Sequence, residues 1–223
     1  MKMTPQRWQD TTDYLNEVFG DLGPQLRTLM PRAVEAGLPD IALDASVGRF
    51  LMLQVALAGA KTAVEVGTLA GYSGIWLARG LADGGRLYTI EAEPSHAAFA
   101  RAEFVSAGLA GCVEVIEGAG LDELPGLVDR LGPASIDVLF LDAIKTEYQG
   151  YLDAALPGLH PGSLVIADNA LGGGGWWIDE PAGTSESRDA VDAFNRRLAA
   201  DPRFNASCVP IREGVLIARY AGG

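Results

Sequence analysis

Cysteine, histidine and lysine are scarce in this chain of 223 residues, which has two cysteines, two histidines and three lysines. Cys112 and Cys208 lie far apart and form no CxxC pair, so both are expected to be reduced structural thiols. His96, near a helix start, and His160, in the turn Leu159-His160-Pro161-Gly162, are expected at the surface or in capping roles. No Ser/His/Asp constellation accompanies them, and Gly71-Tyr72-Ser73-Gly74 lacks the Gly-x-Ser-x-Gly spacing of a nucleophile elbow, which argues against a hydrolase. Positive charge is short as well. Lysine and arginine total 17 against 29 acids, for a net charge of −12, and no basic cluster offers a footprint for nucleic acid; a small-molecule partner is expected. No apolar run reaches the length of a membrane span, and Met1 to Asp10 is too polar for a signal peptide, so the expected location is cytoplasmic, away from membranes.

What is present is enough apolar residue, 48% of the chain, for one domain with a full core. Beta-rich runs at Ala63–Gly67, Arg86–Glu91, Cys112–Ile116, Ile136–Asp142 and Leu164–Asp168 alternate with helical patterns, including Ser73–Ala82 and Ser95–Ala107. That rhythm calls for right-handed crossovers and an open, parallel α/β sheet with helices on both faces. A helix at Ser187–Ala200 then precedes strands Phe204–Ile211 and Val215–Tyr220, joined at Glu213-Gly214, so one edge becomes an antiparallel hairpin. Helical patterns after Pro5, at Pro24–Ala36 and at Val47–Ala58 come first; residues 1 to 45 are expected to cap the site or make a subunit contact, within a single domain spanning 1–223. Gly172-Gly173-Gly174-Gly175 reads as a mobile loop.

Two of the strands stop on an acid, Asp142 and Asp168, with Asn169 after the second and Lys145 three residues beyond the first. Adjacent parallel strands would gather two carboxylates, an amide and an ammonium at the mouth of the sheet. Such oxygen ligands suit a hard divalent cation, Mg²⁺ or alternatively Mn²⁺ or Ca²⁺, and a lysine beside the metal can take a proton. Arginine cannot serve as that base, which singles out Lys145 among Lys2, Lys61 and itself. Taken alone, each aspartate could cap a turn and the lysine could be a solvated surface residue; the combination outweighs its parts.

A second signal lies at Glu65-Val66-Gly67-Thr68-Leu69-Ala70-Gly71-Tyr72-Ser73-Gly74, where the first strand gives way to its helix. Glycines there let backbone approach a ligand, and a helix start offers free N–H groups. The spacing is not the Gly-x-Gly-x-x-Gly dinucleotide fingerprint. Glu65 would repel a pyrophosphate and favour a cationic cofactor such as S-adenosylmethionine, at its amino-acid end or its sulfonium, directly or through neighbouring groups. Glu91, closing the second strand, is placed to accept ribose hydroxyls. Ser73 could also merely help start its helix, and Tyr72 is expected to pack.

Through Glu65-Val66-Gly67-Thr68, Gly71-Tyr72-Ser73, Tyr88-Thr89-Ile90-Glu91, Leu141-Asp142-Ala143-Ile144-Lys145, Tyr148, Ala167-Asp168-Asn169 and the final hairpin, the chain resembles the cation-dependent O-methyltransferases, which include the catechol and caffeoyl-CoA types. The resemblance covers about residues 40 to 220 and implies a Rossmann-like class I methyltransferase sheet and, often, a homodimer. It implies S-adenosylmethionine held by Glu65, Gly67, Thr68, Ser73 and Glu91, with Leu43 and Asp142 in contact and Gly120 of the Gly118-Ala119-Gly120 turn near the adenine. It further implies a metal on Asp142, Asp168 and Asn169, Lys145 as general base, and a catechol-type acceptor touching Asp142, Lys145 and Asn169. Ile144 departs from the family, standing where the caffeoyl-CoA enzymes carry an acid, and Asp44-Ala45-Ser46-Val47-Gly48 only loosely matches its serine-proline-acid segment. Trp176 and Trp177 fall where relatives contact substrate; they read either as packing anchors or as an aromatic wall for a planar acceptor. Three other readings compete: a nicotinamide-dependent oxidoreductase, which would also use Glu91, a non-catalytic binder on the same fold, and a cation-independent methyltransferase, which chelator sensitivity would separate.

Overall fold

A computed structural model of the chain describes residues 4–19, 23–172 and 186–223. Three helices lead, α1 (Pro5–Phe19), α2 (Pro24–Glu35) and α3 (Ala45–Leu57). Strands and helices then alternate as β1 (Thr62–Val66), α4 (Tyr72–Gly80), β2 (Arg86–Glu91), α5 (Pro94–Ser106), β3 (Val113–Glu117), α6 (Gly120–Leu131) and β4 (Ile136–Leu141). A 3₁₀ turn at Lys145–Glu147 leads into α7 (Tyr148–Ala155) and β5 (Leu159–Ala167), and the chain closes with α8 (Glu186–Ala200), β6 (Phe204–Val209) and β7 (Val215–Tyr220). The sheet runs in the order β3-β2-β1-β4-β5-β7-β6. Its first five strands are parallel, while β7 is antiparallel to both β5 and β6. This is the mixed α/β sheet expected from the sequence.

Side-chain alternation explains why both faces are covered. Along β4, Val138 and Phe140 pack with Leu51, Val55 and Leu77 of α3 and α4, while Leu139 and Leu141 pack with Leu124, Tyr151 and Phe194 of α6, α7 and α8. A strand buried on both sides is apolar throughout, as a parallel sheet requires. Outside this sandwich, Leu26, Leu29 and Ala33 of α2 bury against Ile75 and Trp76 of α4 and Phe104 of α5. By contrast α1 has no buried residue and touches mainly α3.

Two boundaries differ from the sequence reading. The turn expected at Leu159–Gly162 is the bulged start of β5, whose register against β4 shifts between Ile136 and Val138. There Ser163 Oγ donates to Ile136 O at 2.6 Å and accepts from His160 N at 2.9 Å, so a side chain replaces the missing ladder bonds. In the final hairpin β6 ends at Val209, and a five-residue loop with Arg212 and Gly214 in left-handed conformations replaces a tight turn.

Candidate active site

The chain builds outward from β1 to β2 and β3, then returns to β4 on the other side of β1, which makes the β1/β4 border the topological switch point. Ligands of open α/β sheets settle beyond the carboxyl ends of the strands at such a point. Here a cavity of about 1010 Å³ opens there. Strand register fixes its floor: Val66 pairs with both Ile90 and Leu141, and Leu141 with Ala167, so Glu91, Gly67, Asp142 and Asp168 follow one another across four neighbouring strand ends.

Gly67 has to be glycine. Its φ is +102°, and a Cβ would fall 2.4 Å from the carbonyl oxygen of Asp142. The turn it opens is tied to the neighbouring acid, because Thr68 N and Leu69 N donate to Glu91 Oε2 at 3.2 and 2.7 Å, and Glu93 N to Oε1 at 3.0 Å. Three of about four lone-pair sites on Glu91 are thereby used, leaving one acceptor direction for a ligand. Gly120, at the first position of α6, lies where a Cβ would meet Val66 and Tyr151 at 2.7 Å. Leu43, Gly67, Thr68, Ser73, Glu91 and Gly120 all line the cavity. The stretch Pro39 to Leu43, just before α3, borders it too.

Glu65 stands apart from that lining. It points to the α4 side of the sheet, fully buried, with Gly74 leaving it room. Ser73 Oγ donates to Glu65 Oε1 at 2.5 Å and Thr89 Oγ1 to Oε2 at 2.6 Å. Because the Thr89 proton goes to Glu65, its 2.5 Å contact with Thr68 Oγ1 is one in which Thr68 donates. Burial pushes the Glu65 carboxyl up to about 8; its two hydroxyl partners oppose the shift, and the charges of Asp142 and Glu91 add to it. Ser73 is the link to the ligand space: it lines the cavity, and with its proton on Glu65 its oxygen is left as an acceptor.

At the other end, Lys145 Nζ donates to Asp142 Oδ1 and to Tyr148 Oη, each at 2.7 Å. The Tyr148 hydroxyl gives its own proton to the carbonyls of Leu141 and Asp168, so its oxygen is turned to the lysine. Asp168 is buried one position behind the lining residue Asn169. Desolvation and the nearby Asp142 charge raise its carboxyl to about 7, and the Asn169 N–H, Lys145 and Arg212 counteract them. Asp168 Oδ1 has no hydrogen-bond partner among the described residues. Asn169, in a left-handed conformation that asparagine tolerates, donates Nδ2 to Glu213 Oε2 at 3.2 Å. That bond occupies the amide nitrogen and leaves the amide oxygen as the group's acceptor.

The sequence did not mark several lining residues. His96 lies at the cavity wall with Nδ1 3.6 Å from Glu91 Oε1, a correction to the surface role expected of it, and Tyr72 lines the cavity as well as packing on Trp76. Arg188 on α8 and Arg212 and Glu213 in the hairpin loop also line it. Their approach depends on β7 pairing antiparallel with β5, which brings the hairpin loop beside Asn169; Ala170 N bonds Gly214 O and Leu171 N bonds Glu213 O. A Gly-containing loop after an edge strand was the one available signal. Trp176, Trp177 and the tetraglycine beyond Gly172 lie outside the described residues.

Comparison with known proteins follows the same lines. The profile of a family described as O-methyltransferase matches residues 17–221. The catechol O-methyltransferase of Niastella koreensis is 37% identical over 220 residues, covering 99% of this chain and 97% of its own. The crystal structure of the Bacillus cereus O-methyltransferase in complex with SAH matches with a TM-score of 0.86 at 31% identity, over 96% of this chain and 99% of that one. TomG of Streptomyces achromogenes, an O-methyltransferase involved in tomaymycin synthesis and solved with SAM, gives 0.86 at 34% identity, over 99% and 100%. The fold and site thus define a class I methyltransferase, and the chain belongs to the O-methyltransferase family. It is an enzyme that transfers a methyl group to oxygen, which replaces the nicotinamide alternative that Glu91 had left open.

Proposed function

We propose that this enzyme transfers the methyl group of S-adenosylmethionine to one hydroxyl of a vicinal diphenol, with a divalent cation bound and Lys145 as general base. The observation that carries the reading is the buried Asp168 Oδ1, which has no partner among the described residues, beside Asp142, the Asn169 amide and Lys145. An orphaned carboxylate oxygen is costly in a desolvated site, and an oxygen-ligated cation such as Mg²⁺ would satisfy it. The donor set fits: two carboxylates and an amide oxygen whose nitrogen is occupied by Glu213. A cation held by Asp142, Asp168 and Asn169 would supply positive charge that makes a neighbouring diphenol hydroxyl more acidic. Support also comes from the relatives named catechol O-methyltransferase and from structures solved with SAH and SAM.

In this reading the cofactor lies across the Gly67 turn. Ser73 accepts from its ammonium, with Glu65 behind supplying negative charge, Glu91 accepts from a ribose hydroxyl, and Leu43 and Gly120 pack its base. Lys145 acts as a neutral amine, which keeps two N–H donors for Asp142 and Tyr148 and turns its lone pair to the acceptor hydroxyl. The carbon–sulfur bond breaks as the oxygen–carbon bond forms, the sulfur keeps the electron pair, and the hydroxyl proton passes to Lys145. Two free cysteines fit a reducing cytoplasm. Exposed Tyr14 and Val18 on α1, and Leu53 and Leu57 on α3, each a pair spaced four apart, supply apolar faces for a homodimer. No described helix is long and apolar enough to cross a membrane.

Labelled-methyl transfer from S-adenosylmethionine to a panel of vicinal diphenols, with Mg²⁺ and with chelator, tests the reading. Transfer that needs the metal is expected. Absence of transfer to every diphenol sinks the acceptor class, and full activity in chelator sinks the cation.

A further inference from the structure

Four described residues other than glycine have left-handed backbone angles, Leu69, Ala134, Asn169 and Arg212, and all but Ala134 line the cavity. Leu69 belongs to the cofactor turn and Asn169 to the acid cluster, which accounts for both. Arg212 belongs to neither, although its charge reaches Asp168. It sits at φ 51 in the loop between β6 and β7, a conformation that a Cβ makes costly and glycine would relieve. Strain kept at a cavity wall, under a long charged side chain, points to a use for that side chain.

Among the described residues, the partners of Arg212 leave most of its donors uncommitted. Its Nε lies 3.0 Å from Glu213 Oε2 and 3.8 Å from Asp44 Oδ2, and it makes no hydrogen bond among the described residues. A guanidinium carries five N–H donors in a rigid fork, and contacts through Nε leave both terminal nitrogens available. A second arginine, Arg188, lines the same cavity and pairs with Asp189 at 2.8 Å. A neutral diphenol is already served by Lys145 and the acid cluster and has no need of either arginine. A carboxylate is the group that a guanidinium fork takes with two parallel hydrogen bonds.

Building on the function proposed above, we infer that Arg212 makes this enzyme selective for vicinal diphenols bearing a carboxylate on the ring or on a short side chain, with Arg188 adding positive potential. The test compares kcat/KM for catechol, 3,4-dihydroxybenzoate and 3-(3,4-dihydroxyphenyl)propanoate in the unaltered enzyme, Arg212→Gln and Arg212→Lys. At least one acid is expected to exceed catechol by roughly tenfold, mainly through KM, since a lost charge-assisted pair is worth about that factor. Arg212→Gln should remove that preference, and Arg212→Lys should restore part of it. A general loss of packing would lower all three substrates together and leave the ratio where it was. Catechol preferred over both acids, or an acid preference that survives Arg212→Gln, overturns the inference while leaving the methyltransferase reading intact. No transfer to any of the three overturns the diphenol reading and this inference with it.

Discussion

Strand β4 carries an aspartate near each end, and the two have opposite surroundings. Near the start, Asp137 Oδ2 accepts from Lys61 N and Thr62 N at 2.8 Å each, and Oδ1 lies 2.9 Å from His160 Nε2. Burial pushes that carboxyl up, but two backbone donors and the histidine outweigh it and hold it below the usual range. Beyond the other end, Asp142 has Lys145 as its donor, and its neighbour Asp168 keeps one oxygen with no partner among the described residues and is raised to about 7. An acid surrounded by donors closes a structure. Acids short of donors, crowded at the switch point of the sheet, hold negative charge in reserve for something not yet bound.

Exchanging the two ends by mutation should separate chemistry from stability. Asp142→Ala is expected to lower methyl transfer by about a thousandfold or more and to abolish its response to Mg²⁺, the scale of losing a metal-centred electrostatic contribution. A metal titration of labelled-methyl transfer reads both, and chelator-resistant full activity in this variant removes Asp142 from the site. Lys145→Met should follow, with kcat down by roughly a hundredfold to a thousandfold and cofactor affinity moved far less. Unchanged turnover would end its assignment as the base. Asp137→Ala should do the reverse: urea unfolding should show a loss of about 2 kcal/mol from stranded N–H groups, discounted for partial exposure, with turnover below the melting range within about twofold. If Asp137→Ala loses activity as Asp142→Ala does, the contrast between the strand ends is wrong.

What the sequence could and could not disclose follows from the same geometry. Strand-terminal Asp142, Asp168 and Glu91 were legible because parallel strands put their carboxyl ends on one side, so each acid closing an apolar run has a known destination. Glu65 was legible as anomalous, an acid in an apolar strand, but period-two alternation places it under α4 behind Ser73 instead of in the ligand space. Arg212 and Glu213 were not legible as site residues beyond the glycine that marks their loop. Their position depends on which edge of the sheet the hairpin joins and on the left-handed angle at Arg212, and neither leaves a local pattern in the sequence. The bulge in β5 was hidden for a similar reason: Pro161-Gly162 reads as a turn unless the Ser163 bridge to Ile136 is known.

Glu65 gives the finest test, because it breaks the simple contrast. It has two hydroxyl donors and yet is raised to about 8, so donor count alone does not decide the outcome; complete desolvation beside Asp142 and Glu91 prevails. An acid whose folded value lies above its unfolded one binds a proton in the native state that the unfolded chain releases. Native stability therefore falls as pH rises from the unfolded value of about 4.5 toward 8. Between pH 6 and pH 7.5 the Glu65 share of that loss should be about 1–2 kcal/mol. Glu65→Gln, which imitates the protonated form, should reduce the slope of melting temperature against pH in metal-free buffer; Asp168, also raised, keeps part of it. A cationic cofactor end at Ser73 favours the charged form, so cofactor binding to the unaltered enzyme should release a proton below pH 8 and tighten as pH rises, with Glu65→Gln losing both effects. Identical proton release in the two proteins, measured by calorimetry in buffers of different ionisation heat, would show that the negative charge behind Ser73 plays no part in holding the cofactor.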